Sequence, residues 1–455
     1  MREVCYFMAD KNKAASPIQE EQREQFKDRW GFILACIGSA VGMANVWMFP
    51  YRVGKYGGAA FLIPYFICIL VLGFTGVAGE MAFGRAMGTG PLGAIRKALE
   101  SKGIKRGRDI GIIPVLGSLA IGIGYAVVVG WVLRFLWGAI SGSLMSATDT
   151  GAYFGVIAGP FGSIGWHMLG LAIGFLLLAM GVANGIEKVN KIMMPAFFVL
   201  FVILAIRVAT LPGAMEGYKY LAIPNWEYLF KPETWIFALG QCFFSLSLAG
   251  SGTVVYGSYL SKKENVIKCA VSVGIFDTLS ACLAALVVIP AVFAYGVDPQ
   301  AGPPLLFITI PAIFQQMPMG QLFAIFFFVA ILFAAITSLI NLFETPIEAL
   351  QQRFKMSRVQ AIVCVAAVSA VVGIFIENGS VVGTWMDIVS IYVIPLGALI
   401  AAIVFFWVLG PKFVREQIQL GREKPIGRWL EPMTRYVFCA ITICVYVMGI
   451  FYGGF

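Results

Sequence analysis

The chain has 455 residues, of which 59% are hydrophobic and 13% charged, more apolar surface than a water-soluble core of this length needs to bury. Its net charge of +9, from 33 basic and 24 acidic residues, does not require a nucleic-acid partner, because the basic residues cluster between apolar stretches. With one histidine and no His, Asp or Glu cluster, the composition also argues against a membrane enzyme.

Residues 1–30 are polar, with Glu20, Glu21, Arg23, Glu24, Lys27 and Asp28 where the apolar core of a signal peptide would lie, so a cytoplasmic tail is expected. About eleven apolar stretches follow, each long enough to cross a hydrocarbon layer of roughly 30 Å as a helix. They fall at 31–53, 59–83, 111–139, 163–183, 192–211, 234–260, 266–295, 319–350, 359–375, 382–409 and 436–455. The exits of the even-numbered spans are basic: Arg96 to Arg108 after the second, Lys188 and Lys191 after the fourth, Lys262 to Lys268 after the sixth. Arg353 to Arg358 follow the eighth and Lys412 to Arg428 the tenth. The positive-inside rule places these segments in the cytoplasm, with the amino terminus inside, the carboxyl terminus outside and the protein in the cell membrane. The nine cysteines show no CxxC or Cys/His spacing and read with His167 as packing residues.

Two spans are rich in small residues where a helix is least replaceable. The first contains Gly38-Ser39-Ala40-Val41-Gly42-Met43-Ala44-Asn45, and the sixth contains Gly240-Gln241 through Ser245-Leu246-Ser247-Leu248-Ala249-Gly250-Ser251-Gly252. Small residues also let helices pack closely, so each segment alone has two readings. Their placement favours unwinding, since each lies in the first helix of a five-helix block. This predicts an all-α membrane protein of about eleven spans, with a 5+5 inverted repeat and unwound first and sixth helices. The blocks are 31–211 and 212–410, preceded by the tail at 1–30 and followed by a loop and last span at 411–455. Unwound carbonyls can bind a cation, while the positive end of a half-helix faces an anion.

The segments Trp30-Gly31-Phe32, Gly42-Met43-Ala44-Asn45-Val46-Trp47, Tyr56-Gly57-Gly58-Ala59-Ala60-Phe61, Gly240-Gln241 through Ser247-Leu248, and Thr337-Ser338 resemble the neurotransmitter:sodium symporter family nearly end to end. The resemblance implies a sodium site between helices one and eight, from the carbonyls of Gly38, Val41 and Ala334 and the hydroxyls of Thr337 and Ser338. A second sodium would sit on Ala40, Asn45, Ser245, Asp277 and the substrate carboxylate. A ligand shared between ion and substrate couples their affinities reciprocally. Asp277 is conspicuous by itself, as an acid inside an apolar span.

The same resemblance implies an amino-acid substrate lined by Ala40, Gly42, Met43, Ala44, Ile121, Tyr125, Phe244, Ser245, Ser247, Gly250, Ser338 and Leu342. Gly42 leaves room for a carboxylate that Tyr125 would bind, and Gly250 removes bulk, which leans toward a large hydrophobic or aromatic L-amino acid. Chloride-dependent relatives bind the anion near positions matching Tyr65, Gln241, Ser245 and a serine that is Ala281 here, so chloride-independent transport is expected, Asp277 supplying the charge. The gates depart from the family pattern. Asp387 matches the outer-gate acid, but Met48 replaces its arginine, leaving Arg52, Lys55 or packing of Tyr125 and Phe244 as closures. On the inner side Arg23 and Tyr259 match, whereas Phe26 stands where a tryptophan is usual and Gln352 replaces an acid that Glu348 can supply. Glu80 and Glu344 also match family acids and require polar partners in lipid. The Asn378-Gly379-Ser380 sequon is read as incidental, and the chain ends one helix short of the usual count. A passive channel or a transport-dead amino-acid sensor are the alternatives; no ring of charges supports the former. Oligomeric state is not legible.

Overall fold

The computed structural model describes residues 25–296 and 305–453, and within them every regular element is helical. Eight continuous helices are long and apolar enough to cross a membrane: Ala59–Met87, Ile112–Ser141, Val182–Ala209, Val266–Ala294, Gly320–Phe354, Arg358–Phe375, Gly379–Val408 and Leu430–Tyr452. The first span is a bent pair, Arg29–Ala40 and Ala44–Lys55, meeting at 51°. Ile164–Ala179 forms the shorter fourth span, and the sixth is split into Pro232–Ser245 and Gly252–Ser258. These are the eleven spans the composition predicts, with both breaks where the small residues lie.

Two boundaries move for physical reasons. The fifth span starts at Val182, so Lys188 and Lys191 belong to the helix and not to a loop. Lys191 is neutralised one turn back by Glu187 at 2.7 Å, which lets a basic residue sit in a membrane-spanning helix. Between the seventh and eighth spans, in a stretch outside the predicted spans, Leu305–Gln316 is a short apolar helix. Its Phe307 ring stacks on Phe154 at 5.1 Å and meets Phe135, Trp131 and Trp47, tying it to the first and third spans.

The close-packing reading of small residues is realised between the second span and the inner half of the sixth. A Cβ on Gly257 would stand 2.5 Å from the Met81 carbonyl oxygen, and one on Gly84 would overlap the Val254 carbonyl. The two backbones touch there because neither helix carries a side chain at the crossing.

Glu344 is fully buried on the eighth span, with its oxygens bound by Arg358 at 3.0 and 2.7 Å and by Tyr259 at 2.7 Å. Arg358 also donates to the Leu178 carbonyl, so one guanidinium ties the fourth, eighth and ninth spans. Removing one partner strands a buried charge. Arg358→Ala is expected to cost about 3–5 kcal/mol, read as a lowered thermal unfolding midpoint. An unchanged midpoint would show that Glu344 is carried by Tyr259 alone.

Candidate functional site

In an unbroken helix the Met43 amide would donate to the Ser39 carbonyl. Here Val41 leaves helical geometry (φ −73°, ψ 89°), and the Met43 amide meets the Tyr125 hydroxyl at 3.0 Å instead. The Ser39 carbonyl takes the Ser247 hydroxyl at 3.0 Å, so the break in the first span is closed by the break in the sixth. In the sixth span Ser247 and Gly250 hold left-handed backbones (φ 54° and 63°), and Glu80 accepts the Gly250 amide at 2.8 Å. Glu80 therefore holds the unwound segment from the second span through Oε1, while its buried Oε2 accepts from no group.

Asn45, Ser245 and Asp277 converge from the first, sixth and seventh spans. The Asn45 Nδ2 donates to the Asp277 carboxylate at 2.8 Å, and the Ser245 hydroxyl lies 2.8 and 2.9 Å from its two oxygens and 3.2 Å from Asn45 Oδ1. All three are at most 1% exposed. Ser280, absent from the sequence expectation, joins them: it receives Asn45 Nδ2 at 2.8 Å and donates to the Asp277 carbonyl. Its position three residues past Asp277 on one helix face is the signal that points to it.

At the crossing of the first and eighth spans, the Ser338 hydroxyl donates to the Gly38 carbonyl at 3.1 Å and reaches the Ser39 carbonyl at 3.4 Å. Thr337 instead back-bonds to the Phe333 and Ala334 carbonyls, at 2.9 and 3.1 Å, the ordinary behaviour of a helical threonine. Val41, Ala334 and Thr337 are fully buried. The donors gathered here are carbonyl and hydroxyl oxygens, a set suited to a hard monovalent cation.

The space beside Gly42 is narrow: a Cβ there would lie 2.7 Å from the Ser338 hydroxyl and 2.9 Å from the Tyr125 hydroxyl. Ile121 packs with Ala249, Val389 and Ile394, and Leu342 borders that patch. Phe244 ends the first half of the sixth span, partly exposed, next to Ser245. Gly250 has a different cause from the one expected. Besides its left-handed backbone, a Cβ there would stand 2.5 Å from the Gly397 carbonyl oxygen on the tenth span, so its smallness serves packing and not a roomier pocket. Ala40 and Ala44 flank the break, both buried.

None of the three expected outer closures is made. Arg52, 2% exposed, donates to Gln241 Oε1 at 2.7 Å, and Gln241 in turn donates to the Ala44 carbonyl. Lys55 lies over the Tyr51 and Tyr56 rings, and Asp387 is exposed with no ion pair among the described residues. Tyr125 and Phe244 make no ring contact; the Phe307 aromatic cluster occupies that end. At the opposite end Phe26 packs on Phe32, Tyr256 and Tyr259 with ring centres 5.4–6.2 Å apart. Glu348 accepts from Thr89 and the Gly90 amide, and Arg23 lies outside the described residues. Just outside the first span, Lys191 holds the Asp28 carboxyl below its usual range, helped by the Gly31 amide.

Broken first and sixth helices around a buried acid and a set of neutral oxygens define a multi-pass membrane protein of the leucine-transporter fold. The chain belongs to the sodium:neurotransmitter symporter family, whose profile matches residues 23–153 and 157–452. It is 39% identical over 330 residues to the uncharacterized sodium-dependent transporter YhdH of Bacillus subtilis, covering 72% of each chain. It is 31% identical over 435 residues to the uncharacterized sodium-dependent transporter MJ1319 of Methanocaldococcus jannaschii, covering 90% of this chain and 86% of that one. Among solved structures, MhsT in complex with L-phenylalanine superposes with a TM-score of 0.84 at 33% identity, over 94% of this chain and 100% of MhsT. The family is one of sodium-coupled transporters and not of enzymes.

Proposed function

We propose that this chain is a symporter that couples the entry of amino acids to sodium by alternating access. The carrying observation is the junction of the two breaks. The Met43 amide and Tyr125 hydroxyl bond each other beside the Asn45–Ser245–Asp277 cluster. A substrate carboxylate can take both donors and still reach an ion held by Ala40, Asn45, Ser245 and Asp277. The second ion would use Gly38, Val41, Ala334, Thr337 and Ser338, which requires the Thr337 hydroxyl to turn from its helix carbonyls. Two sodium sites follow, one shared with substrate. That sharing makes binding of each raise the affinity of the other.

L-phenylalanine in MhsT supports an amino acid with a large apolar or aromatic side chain, and the name of a human relative, an inactive sodium-dependent neutral amino acid transporter, 32% identical over 300 residues, supports a neutral amino acid. Gly250 no longer contributes to that preference. Chloride independence is supported by the engagement of the matching polar groups with each other: Gln241 with Arg52 and Ala44, Ser245 with Asp277. In the same reading the repeats run over 31–211 and 212–410, the Lys27 end faces the cytoplasm, and the carboxyl terminus lies outside in a cell membrane.

The test is thermal stabilisation of purified protein by each proteinogenic amino acid, in sodium and in potassium. Sodium-dependent stabilisation by a few large apolar amino acids is expected, unchanged when gluconate replaces chloride. A strict chloride requirement would overturn the anion assignment. Stabilisation without uptake into proteoliposomes would identify a sensor, and uptake indifferent to sodium a passive facilitator.

A further inference from the structure

The fifth span presses a buried amide against the first span where that span lends its carbonyl to the expected ion. Asn190 is fully buried. Its Nδ2 donates to the Ile186 carbonyl at 2.8 Å, which sets the orientation of the side-chain amide. The remaining oxygen, Oδ1, accepts from no group. That oxygen lies directly on Gly38: a Cβ at 38 would overlap it and stand 2.9 Å from the Thr337 Cβ. Gly38 and Thr337 face each other across the crossing where Ser338 already meets the Gly38 carbonyl. A glycine at 38 is thus required by the approach of Asn190 and Thr337 together, not by a turn.

The fifth span is held in this register from one turn away. Glu187, 1% exposed, accepts the Lys27 amide and the Lys191 ammonium, both at 2.7 Å, and Lys191 also pairs with Asp28 at 2.6 Å. A Cβ on Gly31 would overlap the Glu187 carboxylate. Glu187 and Asn190, three residues apart, therefore sit on one helix face against Gly31 and Gly38, two turns apart on the other. Leaving an amide oxygen buried without a donor costs about 1–3 kcal/mol. A cation amid neighbouring carbonyl and hydroxyl oxygens satisfies such an acceptor, whereas an apolar residue there would avoid the cost.

We propose that Asn190 Oδ1 is a further oxygen ligand of the sodium ion held between the first and eighth spans, so that this site is built from three helices and not two. The inference rests on the reading that the chain is sodium-coupled. Removing one neutral oxygen weakens the ion's hold, and replacing it with a carboxylate strengthens it. Asn190→Ala is expected to raise the sodium concentration for half-maximal stabilisation and uptake about tenfold. Asn190→Asp is expected to lower it about tenfold while slowing maximal uptake, because the added charge retains the ion. A packing role cannot produce shifts of opposite sign from two variants of one residue.

Both variants are measured beside the unaltered protein, and Asn190→Ser replaces the alanine variant if the latter does not fold. If the unaltered protein responds to sodium and every variant stays within about twofold of it, the Asn190 assignment falls while sodium coupling stands. If the unaltered protein shows no sodium response, the coupling reading falls and this ligand with it.

Discussion

Asp277→Ala is expected to lower sodium affinity by about 100-fold and to abolish sodium-driven uptake at ordinary sodium concentrations, with the protein still folded. The carboxylate is the only acid among the residues that meet at the substrate-side cluster, and it holds both Asn45 and Ser245. Its loss removes a charged ligand and also releases two neutral ones from their positions. Hydrogen bonds to a charged group contribute roughly 1.5–3 kcal/mol, so loss of this carboxylate accounts for about two decades of affinity. The isosteric Asp277→Asn separates charge from shape. It keeps an oxygen for the ion and a partner for Ser245, but removes the fixed negative charge. If that charge takes the place of chloride, Asp277→Asn is expected to gain chloride-stimulated uptake that the unaltered protein lacks. Full sodium-driven uptake in Asp277→Ala would refute the cluster as a sodium site.

Gly42→Val is expected to eliminate amino-acid binding and, by crowding Ser338, to weaken the other sodium site without abolishing stabilisation by sodium. A Cβ at position 42 already crowds the Ser338 and Tyr125 hydroxyls, at 2.7 and 2.9 Å, and the two valine methyl groups extend into the space where the carboxylate is proposed to lie. Neither hydroxyl can retreat freely, since Tyr125 is tied to the Met43 amide and Ser338 to the Gly38 carbonyl. Overpacking of this kind costs typically about 1–3 kcal/mol, enough for a large loss of affinity without unfolding a bundle of this size. The measurement is stabilisation by sodium alone and by sodium with substrate. The first is expected to persist and the second to vanish. Retained substrate binding would place the amino acid elsewhere in the cleft.

What the amino-acid sequence determined by itself is the class of structure and the position of its weak points. Apolar stretches of sufficient length can only be membrane helices, because lipid offers no partner for a backbone amide. The runs around Gly38–Asn45 and Ser245–Gly252 were legible through their placement: small residues alone also suit close packing, but each run lies in the first helix of a five-helix block. Asp277 stood out as a lone acid in an apolar span. The apolar stretches and the lone acid are local properties, set by the composition of one segment against the solvent around it.

What only the tertiary structure decided depends on which segments meet. Asn190 is an unremarkable residue on its own helix, and its relevance comes from facing Gly38 on another. Gly250 was read as an open pocket wall, yet it is small because Gly397 approaches it from the tenth span. Arg52 was a candidate for the outer gate, but it is buried and donates to Gln241. Ser280 was overlooked because the hydroxyl expected from the resemblance lay one position further along, whereas helix rotation brings Ser280 to Asn45. Lys188 and Lys191, read from their charge as lying beyond the fourth span, are part of the fifth, where Glu187 pairs with Lys191. For Asn190, Gly250, Arg52 and Ser280 the deciding interaction joins residues on different helices or depends on a helix's rotation, and the hydropathy of a segment carries no record of the face it presents or the neighbour it meets.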